Sequence, residues 1–373
     1  MEDPRIISTQ FNSPKMPYYN VLVNNSMNNS IKPGEVWMDT DGKRIQAHGG
    51  NLWYEGGVFY WYGENKEFTT GKDDIWTWGI RYYSSVDLYN WKDEGFLIEA
   101  EPDNENSIFH PKRRMDRPHI IRNKKTGKYV CWLKYCDKNC FAIVTSDKFS
   151  GPYRVEKDFF QPYGRECGDF DLAVDDETGK AYLYVECDHK DIISCELSDD
   201  YLDIHGEYKV HYSNLNPPLT REGTTHFTRN GKHYLLTSGM TGYVPNPSEV
   251  AIADDWQGHY IVQGNPHEQD MSRASFNSQI SAVFKYPGRD FYIALADRWV
   301  PNYVMTKEKY EAIERVVTSQ FDKSVKALPS DYQEIADCSF MGSANTSIAD
   351  YVWLPIRFEG DEVCIDWKEE WTI

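Results

Sequence analysis

The stretch NLWYEGGVFYWYGE, residues 51–64, joins two short apolar runs through a glycine turn. This pattern predicts a β-hairpin, because glycine supplies the positive φ that a tight turn needs. Four later stretches repeat the design of an apolar strand, a polar glycine turn and a strand that carries tyrosine. They are HIIRNKKTGKYVCWLKY (119–135), DLAVDDETGKAYLYVEC (171–187), THFTRNGKHYLLTSG (225–239) and SAVFKYPGRDFYIALAD (281–297).

The repeat predicts the architecture. Its turn glycines recur every 52 to 70 residues, at Gly57, Gly127, Gly179, Gly231 and Gly288. Two further strand-like pieces follow each hairpin, so the chain contains five units of four strands and is all-β. Such a period indicates a five-bladed β-propeller. A generic β-sandwich is the alternative, but sandwiches lack a repeat of this length.

The rest of the chain fits one domain, residues 1–373. Its propeller core is expected at 35–371, after an N-terminal extension at 1–34. Residues 307–318 (KEKYEAIERVVT) predict a helix within an insertion. Residues 351–371 predict two strands that complete the last blade. No carbohydrate-binding module is expected.

Composition excludes several function classes. The formal net charge of -18, with 58 acidic and 40 basic residues, disfavours nucleic acid and anionic membranes. No apolar run is long enough to span a bilayer. The N-terminus lacks the pattern of a signal peptide, so we expect a cytoplasmic protein. A secreted mature form without its leader is the alternative. The sequence does not predict the oligomeric state.

The cysteine and aromatic contents exclude fewer function classes than the net charge does. The eight cysteines form no Cys-x2-Cys pair, and Cys131, Cys136 and Cys140 cluster partly at strand positions. Reduced thiols are therefore expected in preference to zinc ligands or disulfides. Aromatic residues make up 15% of the chain. They suit both sugar stacking and strand packing, so composition leaves the two uses open.

Propellers bind ligands where the innermost strands begin, around the central depression. The polar residues expected there are His48, the segment 116–119, Asp169, Glu222 and Gln279. Carboxylates that are distant in sequence and converge on the axis suit glycoside hydrolysis, in which one acid protonates the leaving oxygen while a base activates water. Crowding raises the pKa of the carboxyl that must stay protonated.

The sequence resembles glycoside hydrolase family 43 over about residues 35–371, and within it the exo-β-1,3-galactanase branch. The matching stretches are AHGGNLWYEGGVFYWYGE, DRPHIIRNKKTGKYVCW, GDFDLAVDDETGKAYLY, TREGTTHFTRNGKHYLLTSGMTGYVPN, SFNSQISAVF and DYVWLPIRF. The resemblance implies a propeller and an inverting mechanism. It also implies that Glu222 is the general acid and that Asp169 tunes its pKa, with Asp171 as the alternative for that second role.

The chain departs from the family pattern at the position of the catalytic base. The usual blade-one Asp is replaced by His48-Gly49-Gly50. The galactanase branch shares this gap, and resemblance to it implies that Gln279 acts as the base, through its imidic-acid tautomer, or holds the water. The essential Glu of blade two is matched by the shorter Asp116, and Gly168 stands where an Arg often precedes the blade-three Asp. These departures leave the exact sugar open.

Further residues are expected to contact the substrate. They are His48, Arg117, Tyr135, Glu186, Trp76 and Trp78. His48 can instead be a structural hydrogen-bond donor, Arg117 can pair with Asp116, and the tryptophans can bury a loop. No cofactor and no metal ligands are predicted, and a structural cation at the propeller axis is left open.

The resulting hypothesis is an inverting exo-glycosidase that releases galactose from β-1,3-linked galactan or galacto-oligosaccharides. Oligosaccharide is the expected partner. The alternatives are an α-L-arabinofuranosidase, galactofuranosidase or β-xylosidase of the same family, and a non-catalytic sugar-binding propeller.

Overall fold

Each repeated unit folds into one antiparallel sheet. In the computed structural model, which describes residues 27–213, 215–336 and 344–373, five four-stranded sheets follow one another along the chain. The order of the strands in every sheet equals their order in the sequence. All five turn glycines have positive φ, between 71° and 86°. The predicted all-β, five-bladed β-propeller is confirmed.

The five blades use consecutive strands. Blade one contains β1 (His48–Glu55), β2 (Val58–Glu64), β3 (Ile80–Ser85) and β4 (Lys92–Ile98). Blade two contains β5 (Met115–Arg122), β6 (Tyr129–Tyr135), β7 (Cys140–Ser146) and β8 (Arg154–Phe160). Blade three contains β9 (Cys167–Val174), β10 (Ala181–Cys187), β11 (Asp191–Leu197) and β12 (Ile204–His211). Blade four contains β13 (Arg221–Arg229), β14 (Lys232–Gly239), β15 (Ser248–Ala253) and β16 (Ile261–Gly264). Blade five contains β17 (Gln279–Lys285), β18 (Tyr292–Arg298), β19 (Asp350–Glu359) and β20 (Glu362–Ile365).

The insertion in blade five carries the predicted helix. Helices α1 (Lys307–Phe321) and α2 (Pro329–Glu334) lie between β18 and β19. The Thr306 side chain caps α1 by accepting a hydrogen bond from the backbone N–H of Lys309. No helix in the described part of the chain is long and apolar enough to cross a membrane.

The aromatic residues of the opening hairpin hold neighbouring blades together. Trp61 packs on Tyr351 and Trp353 of blade five, with ring centroids 4.4 and 4.5 Å apart. The next residue, Tyr62, points the other way, and its hydroxyl accepts a hydrogen bond from the backbone N–H of Ile120 in blade two. Successive side chains of a strand face opposite sides. The alternating side chains of β2 therefore contact blade five on one side of blade one and blade two on the other.

The two ends of the described core meet. Ile31 and Trp371 exchange two backbone hydrogen bonds, of 2.8 and 3.0 Å. Residues 1–26 of the predicted N-terminal extension lie outside the described residues. The seven cysteines that the structure describes are free thiols, in agreement with the prediction, and Cys338 lies outside the described ranges.

Candidate active site

The innermost strand of every blade starts with a break in its ladder. In blades one, two and four the register with the second strand shifts between His48 and Asn51, between Asp116 and His119, and between Glu222 and Thr225. Blades three and five have equivalent shifts. A β-bulge re-aims side chains and occurs often beside active sites. These bulges lie where the polar residues predicted from the sequence occur.

A cavity of about 590 Å³ opens at this face, within the usual size range of small-molecule sites. Residues from all five blades line it. Seven of the predicted site residues are among them, namely Glu222, Asp169, Gln279, Asp116, Arg117, Glu186 and Trp76. The propeller thus brings together residues that are up to about 200 positions apart in the sequence.

Two neighbouring carboxyl groups at the centre of the cavity differ in their surroundings. Asp169 is held by the Nε of Arg117 at 2.9 Å, by the Nζ of Lys134 at 2.7 Å and by the backbone N–H of Gly223 at 3.0 Å. The last contact places it beside Glu222. No described residue hydrogen-bonds the Glu222 carboxyl, which faces the cavity.

These surroundings separate the pKa values of the pair. Burial raises the pKa of Glu222, the negative charge of Asp169 adds to this, and the result is about 8. Burial opposes ionisation of Asp169 too, but Arg117 and Lys134 hold its pKa well below the usual range. One carboxyl is therefore protonated and the other ionised at neutral pH, which is the arrangement that general acid catalysis needs.

Gln279 is fixed by three hydrogen bonds. Its Oε1 accepts from the Nη2 of Arg117 at 3.0 Å and from the Nε1 of Trp299 at 3.2 Å. Its Nε2 donates to the Oγ of Ser238 at 2.9 Å. Arginine and tryptophan only donate, so these contacts determine which side of the amide carries the oxygen. Arg117 links Gln279 to Asp169 through its Nη2 and Nε atoms.

Blade one supplies a carboxylate from its second strand. Glu64 lies opposite His48 in the β1–β2 register and accepts a 2.9 Å hydrogen bond from the backbone N–H of Arg117. A Cβ at Gly49 would lie only 2.4 Å from the Oε1 of Glu64. The glycine that replaces the expected acid of β1 therefore leaves the room that the Glu64 carboxyl occupies.

A buried lysine holds this second group of acids. Lys66 is fully buried, and its Nζ lies 2.7 Å from the Oε2 of Glu64 and 3.6 Å from the Oδ1 of Asp116. Burial raises the pKa of Glu64 to about 8, against the opposing charge of Lys66. Asp116 also accepts hydrogen bonds from the Nε1 of Trp76 and the Sγ of Cys136. The cavity thus combines two groups of acids, each held by basic side chains.

Comparison with known proteins identifies the family. The model of glycosyl hydrolases family 43 matches residues 49–310, more than half of the chain. The chain belongs to glycosyl hydrolases family 43. No curated protein matches it.

Several solved structures are similar to this family 43 chain. The GH43 β-1,3-galactosidase BT0265 is 28% identical with a TM-score of 0.73, and the alignment covers 93% of this chain and 64% of that one. The GH43 β-1,3-galactosidase BT3683, solved with galactodeoxynojirimycin, is 26% identical at a TM-score of 0.73, with coverage of 92% and 100%. An exo-β-1,3-galactanase from Phanerochaete chrysosporium shares the fold at 22% identity and a TM-score of 0.73, with coverage of 92% and 68%.

Three residues that were expected to bind substrate lie outside the cavity lining of this family 43 site. His48 is fully buried, and its ring bonds Asp297 through Nδ1 at 3.0 Å and stacks on Tyr351. Tyr135 is buried, and its hydroxyl donates to the carbonyl of Ile108. Trp78 is partly buried, and its ring packs on that of the exposed Phe68. These contacts favour a structural role for all three residues.

Trp76 reaches the cavity in a supporting position. Its Nε1 donates to Asp116 at 2.6 Å. The cationic groups of Lys66 and Arg114 lie over its ring, 4.8 and 5.0 Å from the centroid. Cations over the ring stabilise it electrostatically and cover the surface that a sugar would use. Its clearest contribution is therefore to orient Asp116.

Four polar or aromatic cavity residues stand out among those that the sequence did not predict. Glu64 and Lys134 lie at the ends of β2 and β6, and Tyr243 and Trp299 follow β14 and β18. The ring of Tyr243 lies 5.9 Å from that of Trp76 and 5.3 Å from that of Trp299. The signal was available in the hairpins, because an antiparallel second strand ends at the face where the first begins.

No metal centre is formed by the described residues. Within residues 27–213, 215–336 and 344–373, no three His, Cys, Asp or Glu side chains group so as to hold an ion.

Proposed function

We propose that the protein is an inverting exo-glycosidase that releases galactose from β-1,3-linked galactan or galacto-oligosaccharides. The observation that carries the proposal is the position of Glu222 beside Asp169, which Arg117 and Lys134 hold, in a cavity that also contains Gln279. The similarity to the β-1,3-galactosidases BT0265 and BT3683 supports the choice of sugar and linkage.

The proposed reaction is a single displacement. Glu222 donates its proton to the glycosidic oxygen as the bond from the anomeric carbon to that oxygen breaks, and the oxygen keeps the electron pair. Water attacks the anomeric carbon from the opposite face, which inverts the configuration. The proton that water loses returns to Glu222 through solvent and resets the acid. This scheme needs no cofactor.

Gln279 is proposed to hold the attacking water in its amide form. The imidic-acid tautomer would place a proton on Oε1. That atom already accepts hydrogen bonds from Arg117 and Trp299, which opposes its protonation. Arg117 also keeps its Nη1 free of partners among the described residues, so that nitrogen can donate to a substrate hydroxyl.

The test is to incubate the pure protein with β-1,3-galactobiose and follow the first-formed anomer by NMR. We expect α-galactose first. β-Galactose as the first product contradicts inversion. The comparison panel contains aryl β-galactosides, α-L-arabinofuranosides, β-galactofuranosides and β-xylosides. If the protein hydrolyses only one of the last three, that sugar is its substrate and the galactosidase proposal is wrong. Binding without turnover of any substrate would indicate a sugar-binding propeller.

Replacing Gln279 by alanine is expected to lower kcat/KM for β-1,3-galactobiose at least about tenfold, because the attacking water loses its holder. Steady-state kinetics of Gln279→Ala and Gln279→Glu measure this. Gln269→Ala, an exposed amide outside the cavity lining, is the matched control and should keep the wild-type rate. A change below tenfold in both Gln279 variants would remove this residue from the mechanism.

A further inference from the structure

Glu186 is a buried carboxylate with an unused oxygen on the cavity wall. It ends β10, is 1% exposed and lines the cavity. Its Oε1 has no hydrogen-bond partner among the described residues. A Cβ at Gly168 would lie 1.7 Å from its Oε2, so the glycine makes room for the carboxylate. A buried polar oxygen without a hydrogen-bond partner is costly, and this indicates that a ligand donates a hydrogen bond to it.

His189 lies next to Glu186 in the turn between β10 and β11. Its Nδ1 is 3.4 Å from the Oε2 of Glu186, and its side chain remains 59% exposed. Asp188 and His189 both adopt left-handed backbone conformations, with φ of 56° and 54°. The hydroxyl of Thr220 donates to the His189 carbonyl and fixes the turn. The fold therefore maintains a strained turn that keeps an imidazole at the cavity wall.

The arrangement of the blades indicates which part of the substrate Glu186 and His189 contact. The strand that carries Glu222, β13, contacts β17 of blade five, which begins at Gln279, and β10 of blade three, which carries Glu186. In an inverting reaction, water and the leaving group occupy opposite faces of the sugar. With the water at Gln279, the leaving group points toward blade three. Glu186 and Glu222 also influence each other, since Glu186 contributes to the raised pKa of Glu222.

We propose that Glu186 and His189 form the subsite for the leaving-group sugar and bind two neighbouring hydroxyls of a neutral hexose ring. The carboxylate oxygen accepts from one hydroxyl, and the imidazole bonds the other. This inference rests on the proposed function, because it takes Glu222 as the acid and Gln279 as the water holder. Neither Glu186 nor His189 takes part in bond breaking.

Binding in a background without turnover tests the subsite. In Glu222→Gln, Kd is measured by calorimetry for galactose and for β-1,3-galactobiose. Adding His189→Ala or Glu186→Gln should raise Kd for the disaccharide about tenfold and change Kd for galactose less than about twofold, since only the second ring loses its hydrogen bonds. His205→Ala, on the outermost strand of the same blade, is the matched control and should change neither value.

Two results would overturn the subsite. One is an equal rise in both Kd values, which would assign the pair a general structural role. The other is disaccharide binding no tighter than galactose binding before His189 or Glu186 is changed. Failure of the proposed function is read separately, as an absence of galactose release by the wild-type protein, and the binding comparison decides the subsite in either case.

Discussion

Replacing Glu222 by glutamine should lower kcat/KM for β-1,3-galactobiose by about 10²–10⁴-fold, the usual contribution of a general acid. Glutamine keeps the size of the side chain but cannot transfer a proton. The loss should fall below about tenfold for 2,4-dinitrophenyl β-galactoside, because its leaving group departs without protonation. Steady-state kinetics on the two substrates measure the difference.

Loss of activity through misfolding of Glu222→Gln can be distinguished from loss of the acid by measuring the thermal stability of the variant. Because the folded-state pKa of Glu222 is about 8 and its ordinary value is 4.5, the folded protein binds the extra proton between those values. The stability linked to this proton is lost as pH rises through 8. Glu222→Gln should therefore unfold at an equal or higher temperature than wild type at pH 8–9. Glu207→Gln, on the exposed β12, serves as the matched control. Equal losses on both substrates would show that Glu222 is not the acid.

The fold could be predicted from the sequence because its signals are local and repeated. A glycine with positive φ closes every inner hairpin, and each of these glycines was visible at a regular interval. The helix predicted at 307–318 corresponds to α1 (Lys307–Phe321) for a similar reason, since its apolar spacing and polar flanks are local. Local repeats accumulate into a global architecture when each unit packs only on its neighbours.

The first residues of the inner strands were also predictable. Asp116, Asp169, Glu222 and Gln279 were chosen by their position in the repeat, and all four line the cavity. Their directions could not be derived, because the bulges that turn them have no sequence signal beyond glycine. His48 shows the consequence, since the same position in blade one points into the interior and bonds Asp297.

The residues at the ends of the second strands could be predicted only from the pairing register of each hairpin. Glu64 pairs with His48, and Lys134 pairs with Asp116, so each missed residue faces a position that the sequence had already indicated. Counting across the hairpin from its turn glycine would have found Glu64.

Replacing Asp169 by asparagine should move the alkaline limit of activity. The acid works only while Glu222 is protonated, so kcat/KM should fall as pH rises through about 8 in the wild type. The variant loses the negative charge that keeps this proton in place, and Arg117 and Lys134 are left without their shared partner. A nearby like charge raises the pKa of a carboxyl, and an opposite charge close to it lowers that pKa by about 1–3.

The pH profile of kcat/KM for β-1,3-galactobiose measures this shift. We expect the alkaline limit of Asp169→Asn to move down by about two pH units, which lowers kcat/KM about fiftyfold at pH 8, where half of the wild-type acid is already deprotonated. Asp171→Asn is the matched control on the same strand. Asp171 bonds the Nδ1 of His119 and the backbone N–H of His226 and is absent from the cavity lining, so its loss should reduce stability and leave the limit near pH 8. A limit that moves in Asp171→Asn and stays in Asp169→Asn would transfer the tuning role to Asp171, whereas unchanged limits in both variants would show that burial alone keeps Glu222 protonated.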